Sequence, residues 1–237
     1  MRRIRLDIGR AALFLAAFAF AMVALIPLRI ATGWVGGGLA AREASGSIWL
    51  GMLKEARFGP VPLGDLKARL NVLPLFIGRA RLSLSRESEG QGPFEGAVTV
   101  SRHAFGLEDA TGMVRTGPSF APLPIAALDL TDVSVHFAEG LCESAEGRVR
   151  ATLSGELAGV ALAGGMSGVL RCAGGALLVP LASESGIELV NLSLRADGAY
   201  RADIVIRQND PGLAARMAGA GFRAAPQGYT RRVEGHF

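Results

Sequence analysis

The sequence predicts an all-β fold, mainly antiparallel and arranged as a curved, meander-like sheet. One N-terminal transmembrane helix precedes it, and one short helix lies near the C-terminus. Three observations carry this expectation: an uncharged apolar run close to the N-terminus, repeated period-two alternation after it, and Gly-rich turn signals between the alternating runs.

Residues 11–27 read AALFLAAFAFAMVALIP, without a charge. A bilayer core needs about 20 helical residues, with a lower limit near 17. Ile8 and Ile30 extend the run, and Arg10 and Arg29 can snorkel at its rims. Arg2, Arg3, Arg5 and Arg10 flank it on the N-terminal side against the single Asp7, which places the first residues in the cytoplasm. The expected layout is a cytoplasmic stretch at 1–10, an anchor at 11–30, a linker at 31–44 with Trp34 at the headgroups, and an exported β-rich domain at 45–237. The competing reading is a cleaved signal peptide, with Gly38-Leu39-Ala40 as its weak cleavage site. That site lies well beyond the run, and the run is longer than a usual signal core.

Strand signals follow in order. Leu66, Ala68, Leu70 and Val72 alternate with polar partners, as do Ala80, Leu82 and Leu84. Leu128, Leu130, Val133, Val135 and Phe137 form a run with a slip after Leu130 that predicts a β-bulge. Val149, Ala151 and Leu153 make another, and Tyr200, Ala202, Ile204 and Ile206 the last. Alternation of this kind marks a strand with one buried face. Turns are expected at 88–96, Gly164-Gly165, Gly174-Gly175 and Asp197-Gly198; the last is the strongest hairpin signal. The high glycine content, 32 of 237 residues, favours short strands. Asp210-Pro211 reads as the start of a helix with Leu213, Ala214 and Met217 on its apolar side, ending near Gly219 or Gly221. Residues 103–127 show little pattern and predict an irregular loop.

The net charge is +4, but basic residues are scattered except at the two ends, with no dense patch interleaved with aromatics. Nucleic acid is not an expected partner. Cys142 and Cys172 are the only cysteines. In an oxidising compartment a disulfide is the default. The alternatives are a metal site, for which no Cys-x-x-Cys or His pair is present, and a thiol nucleophile with His136 as the nearest base. His103, His136 and His236 are isolated in sequence. The pairs Glu143/Glu146 and Asp129/Asp132 are too ordinary to indicate acid–base work. Gly90-x-Gly92 precedes strand-like residues and not a helix, so no phosphate loop is expected. We expect no catalytic residue, metal or cofactor.

Several segments together resemble one family. Residues 45–51 (SGSIWLG) are similar to the Gly-Thr-hydrophobic-Trp-x-Gly segment of the type II secretion system protein N family, also called general secretion pathway protein N. Residues 72–85 (VLPLFIGRARLSLS) resemble its Pro-hydrophobic-Gly-Arg stretch. The regions around Cys142–Gly147, SGVLRCAGGALLVPL, LSLRADGAY, AGAGF and GYTRRVEG follow in the family's order. The resemblance implies a non-catalytic, single-pass inner-membrane subunit with a periplasmic domain. Its implied partners are the outer-membrane secretin and the inner-membrane platform of the secretion machine, with membrane lipid met through the anchor. Ile48, Trp49 and Gly51 form the candidate interaction or structural motif. Asp197, Gly198 and Tyr200 form a hairpin motif. The alternative function, from the family's likeness to AsmA-type proteins, is lipid binding or transfer along an apolar sheet face.

Overall fold

Period-two alternation needs a partner surface for each buried face, and here the sheet supplies it by curling on itself. The computed structural model describes residues 13–15, 17–18, 21–22, 25–28, 39–58, 61–87, 92–116, 125–153, 156–157, 160–161, 165–208 and 211–236. Its centre is a 16-stranded antiparallel sheet. Strands β1 (Leu39–Ala40) and β2 (Glu43–Ser47) both pair with β3 (Leu50–Phe58). β4 (Val61–Asn71), a one-turn helix α1 (Val72–Leu75), β5 (Ala80–Arg86), β6 (Phe94–Val100), β7 (Ala104–Arg115), β8 (Ile125–Ala138) and β9 (Leu141–Leu153) follow in chain order. β10 (Glu156–Leu157) and β11 (Val160–Ala161) form a separate ribbon. β12 (Met166–Val169), β13 (Arg171–Ala173), β14 (Ala176–Ser183), β15 (Glu188–Leu194) and β16 (Ala199–Ile206) continue the sheet. After α2 (Pro211–Gly219), β17 (Arg223–Ala225) and β18 (Gly228–His236) complete it, with β18 against β16 and β17 on the edge. Neighbours in sequence are neighbours in space, the meander that short connections predict.

Four expectations change. Residues 104–115 of the expected loop form β7 and residues 125–127 open β8; the register of β7 against β8 shifts between Leu107 and Ala110 and again between Ala110 and Gly112. Asp109 there has φ of 51°. The buried Gly106, Ala110 and Val114 keep an even spacing, but Glu108 and Gly112 share their parity, so no apolar alternation shows in the sequence. Residues 117–124 lie outside the described residues. The strands are not short: β8 has 14 residues and β9 has 13, because Gly147 and the non-glycine bends at Asp132 and Glu139 are absorbed within or between paired strands. Val72 does not continue β4 but opens α1. The sheet also begins before residue 45, at Leu39.

The bulge predicted after Leu130 is present, between Thr131 and Ser134 with Asp132 at φ 49°. α2 buries Met217 and closes with the Phe222 amide donating to the Met217 carbonyl at 2.9 Å. Asp210, its expected cap, lies outside the described residues, as do residues 11–12, 16, 19–20, 23–24 and 29–30 of the expected anchor. Among the described residues no helix is long and apolar enough to cross a membrane.

The apolar face divides into two clusters. The first holds Leu28, Leu39, Leu53, Leu66, Leu82, Leu84 and Phe94, and the second runs from Ala110 and Val133 through Val190 and Ile204 to Tyr229. Val61 and Leu130 pack against both. β4 and β7 touch although β5 and β6 separate them in the sheet, so the curl is tight. Buried Arg86 fastens it. Its Nε donates to the Gly92 carbonyl at 2.9 Å, its Nη2 to Met113 O on β7 at 2.6 Å, and its Nη1 to Leu63 O on β4. The guanidinium also lies 5.8 Å from the Phe94 ring centre. Burial lowers its pKa, and the nearby charge of Arg115 lowers it further.

Candidate interaction site at the β2–β3 turn

The segment SGSIWLG is a tight hairpin. Ser47 pairs with Leu50, Ile48 and Trp49 form the turn, and Leu50 N–H donates to Ser47 Oγ at 3.3 Å. Gly46 and Gly51 face one another across the two strands. Gly46 needs its φ of +82°, which glycine adopts without strain. Gly51 is required by space: a Cβ there would lie 2.5 Å from Leu28 Cδ2.

Leu28 shows why. It is fully buried, and it belongs to the N-terminal segment that enters at this turn. Pro27 forms an antiparallel bridge with Ser47, and Ile48 N–H donates to Ile26 O at 3.0 Å. On its other side Ile48 O accepts from Leu70 N–H at 2.9 Å. Ile48 thus links the incoming segment to β4, with its side chain buried and Trp49 half-buried against the same cluster. Of the motif's large apolar residues, Leu50 is the exposed one. Sequence reasoning missed Leu28, because nothing local distinguishes it from the apolar run before it.

Two surfaces adjoin the turn. One is a cavity of about 650 Å³ on the polar face of β2–β7, floored by small residues such as Gly51, Ser83 and Ala97. Arg81 closes a wall through ion pairs with Glu108 at 3.2 Å and Asp109 at 3.4 Å. Its Nε is buried and, among the described residues, is the one buried side-chain polar atom without a hydrogen-bond partner. Lys67, Arg69 and Glu95 also line the cavity, beside the apolar Leu50, Met52 and Leu84. The other surface is α1 and the turn after it, where Leu73, Phe76 and Ile77 are exposed. Their unbroken apolar run between two alternating strands was the signal available in the sequence.

The remaining motif residues lie elsewhere. Asp197 Oδ1 accepts from Ala199 N–H at 2.9 Å, and Gly198 has φ of 88°. The Tyr200 ring covers Gly235, where a Cβ would meet the ring at 2.5 Å. This hairpin joins β15 to β16, far along the strand order from β2–β3. Cys142 and Cys172 are disulfide-bonded, with Cα atoms 5.5 Å apart, so neither is a thiol nucleophile. His136 Nδ1 lies 3.0 Å from Glu143 and His103 Nδ1 3.7 Å from Glu139, both on the surface. Two exposed groups shift through single partners. A hydrogen bond from Lys67 holds the Glu87 carboxyl below its usual range, and one to Asp203 raises Arg232. Among the described residues no group of three metal-ligating side chains occurs.

A family model described as type II secretion system (T2SS), protein N, matches residues 37–232. The chain belongs to the type II secretion system protein N family. The match runs from just before β1 into β18, so it spans nearly the whole sheet and both motifs. Membership makes the chain an accessory component of a type II secretion machine. No curated protein and no solved structure matches the chain.

Proposed function

We propose that this protein is a non-catalytic scaffold of the type II secretion system. In this reading residues 11–30 anchor it in the inner membrane. Its sheet stands in the periplasm, where it contacts the secretin or the inner-membrane platform and aids export of folded proteins. The family match across nearly the entire sheet carries this reading. An anchor restricts the domain to one membrane face and raises its effective concentration towards other membrane-held subunits. The edge strands β2 and β17 offer backbone groups for strand addition.

Retention of the N-terminal segment is supported by packing. Leu28 and Leu39 are both core residues, and cleavage after Ala40 would remove both. Leu13, Phe14, Leu15, Phe18, Met22 and Leu25 are all exposed, a density of bare apolar side chains that suits lipid. A lipid-carrying groove on the apolar sheet face draws no support, since that face is filled by its own side chains.

The test is photo-crosslinking in cells from Trp49, Leu50 and Asp197, with captured species identified by mass spectrometry. Capture of secretin or platform subunits supports the scaffold. Capture of lipid alone at all three positions overturns it.

A further inference from the structure

The strands around Ile48 define a direction. The antiparallel bridge at Pro27–Ser47 means that the chain before Pro27 projects the way β2 runs, past the β2–β3 turn. β4 runs the same way, because it is antiparallel to β3, and it leads straight into α1 beyond Asn71. Ile26 and Leu70 flank Ile48 through its N–H and carbonyl, about 10 Å apart at two strand spacings. Residues 25–26 and the α1 loop therefore leave the same end of the sheet side by side.

That loop is built unlike the other turns. Leu73 and Phe76 are each 81% exposed and Ile77 72%. Its backbone is nonetheless internally bonded. Phe76, Ile77 and Gly78 donate to Leu73, Pro74 and Leu75, and Arg79 donates back to Pro74. Gly78 at φ 73° closes the turn. Satisfied backbone groups are what an apolar medium demands. Of the three neighbouring turns, residues 47–50, 71–80 and 100–104, the last two carry Arg79 and Arg102, charges that suit anionic headgroups, while His103 faces Glu139 of the β8–β9 turn at 3.7 Å.

We propose that the α1 loop is a second membrane contact. On this view Leu73, Phe76 and Ile77 enter the headgroup boundary of the leaflet from which the anchor emerges, with Arg79 and Arg102 at the phosphates. The anchor then holds the domain at the membrane and the loop sets its orientation there, with the β2–β5 end down and the sheet rising away from the bilayer. An amphipathic element of this kind sits about 5–10 Å into the boundary. The inference rests on the anchor reading above.

The test uses the full chain reconstituted into vesicles of phosphatidylethanolamine and phosphatidylglycerol. A single cysteine is introduced as Phe76→Cys or, as a control, Asp197→Cys, and labelled with an environment-sensitive nitrobenzoxadiazole. The native cysteines are consumed in their disulfide, both sites are exposed, and because Asp197 accepts from Ala199 N–H each labelled chain is first shown to be folded by circular dichroism. With nitroxide-bearing lipid, the label at 76 is expected to shift to the blue and lose most of its intensity, while the label at 197 stays water-like. Co-flotation of the chain with vesicles reports the anchor separately. If the chain floats and the label at 76 remains water-like and unquenched, the loop proposal fails and the anchor stands. If the label at 76 is blue-shifted but unquenched by lipid, protein and not membrane covers the loop, and the proposal fails. If the chain does not float, the anchor reading fails and the loop proposal with it.

Discussion

Removing the Cys142–Cys172 bond by Cys142→Ala with Cys172→Ala tests how the middle of the sheet is held. β12 pairs with both β9 and β14, whereas β13 pairs with β14 alone. The ladder to β9 ends with the bond from Leu170 N–H to Gly147 O at 3.1 Å, and beyond it the disulfide and the bond from Cys142 N–H to Gly175 O at 2.9 Å connect β9 to the β13–β14 hairpin. The bond closes a loop with a sequence separation of 30. In the chain-entropy model a loop of that size restricts the unfolded chain by about 3.6 kcal/mol. For a domain of this size that corresponds to a fall in Tm of about 7–14 °C. Thermal unfolding followed by circular dichroism measures it, and hydrogen exchange at residues 171–177 should rise before the rest of the sheet opens. A double variant melting within about 2 °C of the parent, well below the range expected for this loop, would refute the reasoning.

Three further outcomes follow from the packing. Leu28→Ala should cost about 2–5 kcal/mol as a buried truncation. Gly51→Ala should also destabilise the parent but be better tolerated in the Leu28→Ala background, so chemical denaturation of the four variants should give a non-additive cycle. Arg86→Met leaves the carbonyls of Leu63, Gly92 and Met113 without that donor, an expected loss of about 3 kcal/mol or more by urea unfolding. Arg86→Lys should recover only part of it, because a point charge cannot reproduce the planar fork. The lowered pKa of Glu87 predicts a small stabilisation that is present above the ordinary carboxylate range and lost as pH falls through the folded value. Tm measured against pH should show that acid-limb contribution disappear in Glu87→Gln and in high salt, since the pair with Lys67 is exposed.

Much of this protein was legible locally. Ala80, Leu82 and Leu84, and again Ala202, Ile204 and Ile206, alternate because each strand buries one face, and that pattern survives whatever the neighbours are. The Asp197-Gly198 turn carries its own geometry in two residues. The order of the family's segments was readable because each is a short local feature.

The tertiary structure decided the rest, for a physical reason in each case. β7 was hidden because its buried parity carries Gly106, Glu108, Ala110 and Gly112, which show no apolar period, while pairing to β6 and β8 holds it extended. Arg86 reads as one more exposed arginine until the curl brings three distant carbonyls to its guanidinium. Leu28 reads as the tail of an apolar run until Gly51 leaves the space for it. Local pattern determined which residues face inward. Only the curl of the sheet decided what they meet there, and that the N-terminal segment and the bare α1 loop leave from one end.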